Sequence, residues 1–132
     1  MDANFALLIR GTAKSEAILF SVKAELLAPE FMLAEFSNHR QEILAKTHRS
    51  EDEFDRLLSM FERRIKPVPQ EEFKAFIPQA CEALQANIKD APYVALALKC
   101  QGPIWSEDKA LKEQSAVEVL NTEELYERLF QE

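Results

Sequence analysis

The sequence KDAPYVALALKCQGPIWSEDK, residues 89–109, contains two acids separated by an apolar helical segment, a Gly-Pro turn and a short strand. Asp90 precedes the helical segment, and Asp108 follows the strand at residues 104–105. A helix that returns along a sheet begins near the carboxyl end of the next strand, so we expect Asp90 and Asp108 to lie close together at one rim. Two neighbouring carboxylates repel each other unless a cation or a proton lies between them. This stretch therefore gives a first indication of a metal site.

Size and composition indicate a globular protein. The 132 residues fit one domain, residues 1–132, and 47% of them are hydrophobic. A net charge of -7 argues against coating nucleic acid or an anionic membrane with a basic face. It does not argue against a nucleic-acid enzyme whose acids are neutralised by cations. Since no apolar segment reaches the length of a membrane span and the first residues do not resemble a signal peptide, we expect a soluble cytoplasmic protein.

Cysteine, histidine and glycine usage excludes several kinds of site. Cys81 and Cys100 lie in apolar helical contexts, which favours two buried thiols in a reducing compartment over a disulfide. His39 and His48 lie far from either cysteine, so no zinc-binding spacing is present. The chain has 2 glycines, too few for a glycine-rich phosphate loop or a dinucleotide fingerprint.

The order of predicted elements indicates an α/β sandwich with a mostly parallel sheet. Strands are predicted at residues 25–28, 65–69, 104–105 and 117–120. Helices are predicted at residues 5–9, 16–24, 29–46, 51–64, 70–87 with a break at Pro78, 91–98, 107–114 and 123–130. Capping boxes are predicted for two of these helices, from Ser50 with Glu53 and from Asn121 with Glu124.

Four acids stand at predicted strand ends or just beyond them: Asp2, Glu35, Asp90 and Asp108. Three of them also have a purely structural interpretation. Asp90 could cap its helix, and Asp108 could favour a helix N-terminus that Ser106 caps. Asp2 lies near a chain end, where disorder is common.

Glu35 interrupts an apolar segment, residues 31–36, that predicts a helix buried nearly all round. A glutamate in such a helix needs a partner, which could be Arg40 or a metal ion. Asn4 and Ser106 are polar residues beside other candidate acids and could hold a metal-bound water or a phosphate.

Several segments, in this order, together resemble a PIN domain: MDAN, LLAPEFMLAEF, KDAPYVALAL, and PIWSEDKAL followed by VEVLNTEEL. The resemblance spans essentially the whole chain. It implies a three-layer α/β/α sandwich with a short, mostly parallel central sheet and a pocket of acids that binds Mg²⁺ or Mn²⁺. By position, the acids of the family fall on Asp2, Glu35, Asp90 and Asp108, with Asn4 beside the first and Ser106 before the last.

The resemblance also implies an activity, because many members are ribonucleases and many prokaryotic members are toxins of toxin–antitoxin pairs. It predicts a Mg²⁺- or Mn²⁺-dependent endoribonuclease with Asp2, Asp90 and Asp108 as metal ligands and Glu35 ligating the metal or orienting a water. Lys109 would meet the phosphate backbone. The implied partners are an RNA substrate, an antitoxin protein and a second copy in a homodimer. The alternatives are a catalytically impaired module that binds RNA or protein, and a nuclease that attacks DNA.

The beginning of the chain departs from the family pattern. Family members usually place a short hydrophobic strand before the first aspartate, whereas Met1 alone precedes Asp2 here. We therefore expect the first strand to be truncated, with its place in the sheet supplied by an upstream start, by another segment or by another subunit.

Overall fold

The computed structural model describes residues 13–21, 23–47, 50–85 and 88–130. Its helices are α1 Ala13–Phe20, α2 Phe31–Asn38, α3 Arg40–Thr47, α4 Glu51–Arg64, α5 Gln70–Phe73, α6 Ile77–Leu84, α7 Ala91–Cys100, α8 Lys109–Lys112 and α9 Thr122–Phe130. Its strands are β1 Leu26–Pro29, β2 Ile65–Val68, β3 Ile104–Trp105 and β4 Val119–Leu120. Short 3₁₀ turns span Lys74–Phe76 and Ile88–Asp90. The predicted helix at residues 5–9, Asp2 and Asn4 lie outside the described residues.

The strands of the described residues form two parallel pairs, which confirms the predicted parallel α/β class. β1 pairs with β2 over four residues, with Leu26 opposite Ile65. β3 pairs with β4 over two residues, with Ile104 opposite Val119. β2 contains a proline at position 67, which cannot donate to a ladder, and it lies at the edge of its pair as the two-proline segment predicts.

An apolar cleft lies between the two strand pairs. It has a volume of about 460 Å³, and its lining includes residues of β1, β3 and α7 such as Leu27, Ile104 and Leu96. Helix α7 packs against both β1 and β3 and is buried along most of its length. α7 therefore joins the two pairs.

The helix α4 has the predicted boundaries because its N-terminal signal is local. The Ser50 hydroxyl accepts a hydrogen bond from the Glu53 backbone N–H at 3.2 Å and donates to the Glu53 carboxylate at 3.2 Å. Acids occupy the first turn, and Arg63 and Arg64 occupy the last, which suits the helix dipole. The predicted capping interaction is confirmed.

Several predicted helix boundaries were wrong. The helix predicted at residues 29–46 is two helices, α2 and α3, which His39 separates with a non-helical backbone (φ -95, ψ 17). The helix predicted at residues 16–24 is α1, which begins earlier and ends at Phe20.

The break predicted at Pro78 was also wrong. Pro78 lies in the first turn of α6, where its missing N–H has no intrahelical partner to lose. The helical segment is interrupted instead by the 3₁₀ turn Lys74–Phe76. The end of α7 is a different case, because Gln101 takes the left-handed conformation (φ 56, ψ 40) and donates its N–H to the Ala97 carbonyl.

An aromatic core cluster lies between α2 and α4. The ring of Phe36 stacks on Phe54 with centroids 4.8 Å apart and meets Phe61 edge-on at 5.7 Å. Phe54 and Phe61 are buried, and the half-buried Leu57 and Leu58 pack against the same cluster. These α4 side chains are therefore part of the core, and Phe54 and Phe61 cannot form a face for a second copy.

Arg64, at the end of α4, is bound to the protein and is not a solvated helix end. Its guanidinium is half-buried and donates from Nε to the Leu19 carbonyl at 2.5 Å and from Nη2 to the Ser21 carbonyl at 2.6 Å. Arg64 therefore ties the end of α4 to the end of α1.

The thiols of Cys81 and Cys100 are free, but Cys100 is exposed rather than buried. It is the last residue of α7, on the turn of the helix that faces solvent. Of the helices that the structure describes, none combines the length and the apolarity that crossing a membrane requires.

Candidate functional site

Asp90 immediately precedes α7 and is 2% exposed. Its side chain makes no capping hydrogen bond to the N-terminus of α7, all of whose residues are described. Pro92 occupies the first turn of that helix and has no N–H to offer. Asp90 thus occupies the N-cap position that one alternative predicted, but its side chain does not make the capping hydrogen bond, and it is a buried acid at the start of a buried helix.

Asp108 is half-buried and caps α8. Its Oδ1 accepts hydrogen bonds from the backbone N–H of Ala110 at 2.9 Å and of Leu111 at 3.3 Å. The hydroxyl of the buried Ser106 accepts from the Asp108 N–H at 3.0 Å. The cap is thus Asp108 and not Ser106 as predicted, and the predicted helix at 107–114 shortens to Lys109–Lys112 because it starts only after this cap.

Side-chain hydrogen bonds tie the end of β3 to the start of α9. The indole Nε1 of Trp105 donates to the Thr122 hydroxyl at 3.1 Å, and the Thr122 backbone N–H donates to Glu107 Oε1 at 2.9 Å. Neither Glu107 nor Thr122 was among the residues predicted from the sequence. A signal was present, because Glu107 stands between a strand end and a helix cap, where a carboxylate can reach the N-terminus of a neighbouring helix.

The predicted capping box of α9 is confirmed and extends to α8. Asn121 Oδ1 accepts from the Glu124 N–H at 2.8 Å, and Glu124 Oε1 accepts from the Asn121 N–H at 3.1 Å. Lys112 of α8 donates to the same Glu124 carboxylate. The Lys112 hydrogen bond, followed by the one from Asn121, lowers the pKa of Glu124 below its ordinary value.

Glu35 lies on α2 and is half-buried. The prediction of a helix buried all round was wrong, because Phe31 and Ala34 of α2 are exposed. Phe36 anchors α2 in the core, and the half-buried Met32 packs against the core cluster that includes the buried residues of α7. Arg40, which was considered as a partner for Glu35, pairs with Asp55 at 2.7 Å and lies 3.8 Å from Glu51.

An aromatic contact joins α2, which carries Glu35, to α7, which follows Asp90. The rings of Phe31 and Tyr93 meet edge to face with centroids 5.9 Å apart and planes inclined at 72°. Phe31 is the first residue of α2, and Tyr93 lies in the first turn of α7. The contact therefore brings the beginnings of these two helices together at the carboxyl end of β1.

The structure brings some of the predicted site residues together. Ser106 and Asp108 are hydrogen-bonded, and the exposed Lys109 follows Asp108. Within residues 13–21, 23–47, 50–85 and 88–130, no three His, Cys, Asp or Glu side chains form a group that could hold a metal ion. The predicted convergence of Glu35, Asp90 and Asp108 stays a prediction.

The candidate site residues offer side-chain oxygen atoms that can be tested against the preferences of Mg²⁺ and Mn²⁺. Carboxylate and hydroxyl oxygens are the donors that hard cations such as Mg²⁺ and Mn²⁺ prefer, so the residue types fit such an ion. The apolar cleft between the strand pairs does not fit, because its described lining is mostly hydrophobic and includes none of Glu35, Asp90 and Asp108.

Comparison with known protein families identifies the family of this chain. A sequence model of the PIN domain matches residues 1–129, and the chain therefore belongs to the PIN domain family. PIN domains are generally nucleases that act on nucleic acids and use divalent metal ions, which supports a nuclease role in general terms. No curated protein and no solved structure matches the chain.

Proposed function

We propose that this protein is a Mg²⁺- or Mn²⁺-dependent endoribonuclease. The observation that carries the proposal is the burial of Asp90 at the start of α7 in a chain that belongs to the PIN domain family. A carboxylate removed from water is costly, and a bound cation offsets that cost. The local geometry therefore favours Asp90 as the central acid of the site.

Asp2, Asp90 and Asp108 would hold the metal, and Glu35 would ligate it or orient a water. Bound there, the metal would activate that water and neutralise charge on the phosphodiester. The capping bonds of Asp108 engage Oδ1, so ligation would fall to Oδ2. The α8 N-terminus thereby fixes the direction in which that oxygen is presented.

Other side chains would position the substrate. Ser106, held by the Asp108 N–H, and Asn4 would contact water or a phosphate oxygen. Lys109 is exposed beside Asp108 and would contact a backbone phosphate. Lys89, which adjoins Asp90 in the sequence, and Arg10 would extend this contact.

The test is cleavage of a labelled RNA with Mn²⁺, with EDTA, and with the variant Asp90→Asn. We expect cleavage with Mn²⁺, none with EDTA, and a loss of at least about 100-fold in Asp90→Asn, since even residues behind metal ligands cost 10- to 100-fold. The matched control is Asp52→Asn, which removes the same charge from an exposed site on α4. Cleavage that survives both EDTA and Asp90→Asn would reject the proposal.

A binding module without catalysis is the second candidate. It is favoured by the apolar lining of the cleft between the strand pairs, whose described residues include none of Glu35, Asp90 and Asp108. Calorimetric titration with Mn²⁺ separates the candidates, because the nuclease requires a site that Asp90→Asn removes. A bound metal would also stabilise the folded nuclease by about 2.7 kcal/mol at 100 times its Kd. No Asp90-dependent heat and no such stabilisation would favour the module.

The biological setting that we propose is the toxin of a toxin–antitoxin pair, acting in the cytoplasm as a homodimer. The support for this setting is membership of the family. An antitoxin gene beside the coding sequence, and neutralisation of the RNase activity by its product, would test the toxin role. Analytical ultracentrifugation would test the dimer, whose face must lie outside the buried Phe54 and Phe61.

A further inference from the structure

Phe31 is exposed beside the candidate acids. It is 36% exposed at the start of α2, one helical turn before Glu35, so the two side chains share a face of that helix. Within the described part of the chain, the exposed large hydrophobic residues are Phe31, Ile88 at 56% and Phe130 at 38%. Ile88 lies two positions before Asp90. Two of these three residues thus adjoin candidate metal ligands, whereas Phe130 lies at the end of α9.

The ring of Phe31 is also held in place. Tyr93 is buried, and its ring contacts Phe31 edge to face at 5.9 Å from the first turn of α7. A side chain that is supported by a buried neighbour loses little rotamer freedom when a ligand covers it. Phe31 therefore presents an ordered aromatic surface to solvent at the point where α2 and α7 begin.

The charge of the protein adds a second argument. With a net charge of -7, the protein repels a polyphosphate chain at long range, so general electrostatic attraction cannot supply the affinity for RNA. Stacking of a base on an aromatic ring does not depend on net charge, and every base has a face that can stack. An exposed aromatic ring beside the acids supplies this kind of contact.

We propose that Phe31 stacks on a base of the RNA next to the phosphodiester to be cleaved and so positions the strand in the candidate site. This inference rests on the proposed nuclease function. Bases within a duplex have their faces covered by neighbouring pairs, whereas an unpaired base can turn a face to the protein. Phe31 then acts as a positioning residue that holds one base of the strand beside the candidate acids.

The experiment measures the affinity of the full chain for an eight-nucleotide fluorescent RNA in EDTA, by fluorescence anisotropy. The arms are the single strand, the same strand in a duplex, and a strand with one abasic position. We expect Phe31→Ala to weaken single-strand binding by about 5- to 150-fold, the range for loss of one stacked base. Phe31→Trp should restore it, and Phe31→Leu, which keeps the apolar bulk without the ring, should not.

The matched control is Phe130→Ala, which removes a ring of similar exposure and should leave binding unchanged. The loss in Phe31→Ala should be the same at 50 and 200 mM salt, to within about twofold, because stacking is not screened as phosphate contacts are. Equal affinity of the wild type for single strand and duplex, or full affinity in Phe31→Leu, would overturn the inference. Cleavage with Mn²⁺ separates the two proposals: an active wild type with an unaffected Phe31→Ala variant refutes only the stacking role, and an inactive wild type refutes the nuclease.

Discussion

The helix that carries Glu35 is positioned by aromatic packing, whereas the turn that carries Asp108 is positioned by hydrogen bonds. α2 is anchored through Phe36, which stacks on Phe54 in the core. The Asp108 turn is held by Ser106 and by its own cap of α8. The β1–β2 ladder beside α2 spans four residues and the β3–β4 ladder only two, so side-chain bonds replace backbone pairing near Asp108. The two sides of the candidate site should therefore respond differently to mutation.

The largest effect is expected on the packed side. Phe36→Ala should lower the free energy of unfolding by about 3–5 kcal/mol, because it removes a fully buried ring and leaves a cavity. Urea denaturation measures this loss, and the exposed Phe130→Ala is the control. A loss below about 1 kcal/mol would show that packing does not dominate on this side.

The hydrogen-bonded side is tested next by Glu107→Ala. This change removes the acceptor of the Thr122 N–H and should cost about 1–2 kcal/mol, because the carboxylate is charged and half-buried. Glu107→Gln keeps an acceptor oxygen and should recover most of the stability in the same urea titration. If Gln costs as much as Ala, the negative charge and not the hydrogen bond stabilises this region.

Two variants of Asp108 separate its role as the cap of α8 from its proposed role as a metal ligand. Asp108→Ala should cost about 1 kcal/mol through loss of the α8 cap, whereas Asp108→Asn should keep the cap and nearly all of the stability. If Asp108 also ligates the metal, both variants lose RNA cleavage. Thermal melts and cleavage rates on the same samples distinguish the two roles, and an Asn variant that is stable and active would restrict Asp108 to capping.

The smallest effect concerns pH. Hydrogen bonds from Arg128 at 2.6 and 2.9 Å lower the pKa of Glu118 below its ordinary value of 4.5. The ion pair therefore stabilises the fold above pH 4.5, and this contribution is lost as the pH falls through the lowered pKa. The free energy of unfolding of Glu118→Gln should fall less steeply below pH 4.5 than that of the wild type. Glu113→Gln, another exposed acid, should follow the wild type.

The parts of the fold that local residues determine could be predicted from the sequence. The boundaries of α4 followed from Ser50 and Glu53, and the start of α9 followed from Asn121 and Glu124, because a capping box acts within one turn. The parallel arrangement followed from the alternation of strands and helices. The break predicted at Pro78 was wrong because proline breaks a helix interior but suits a first turn. Which of the two applies depends on where the helix begins, and the sequence around Pro78 does not show this.

The candidate site could be predicted only as a set of residues. Asp90 and Asp108 have the same local pattern, an acid before a helix, yet one is buried without capping its helix and the other caps while half-exposed. This difference arises from the packing of α7, which adjacent residues do not encode. The hydrogen bond from Thr122 to Glu107 spans fifteen positions, so the local signal at Glu107 does not identify its partner.

The left-handed residue at the end of α7 offers a practical starting point for engineering. Gln101 holds a conformation in which a side chain crowds the backbone, and glycine would relieve that crowding without removing the N–H bond to Ala97. The Gln101→Gly variant should therefore unfold at a higher temperature than the wild type. Destabilising substitutions such as Asp108→Ala could then be combined with Gln101→Gly, so that the double variants remain folded during purification and assay.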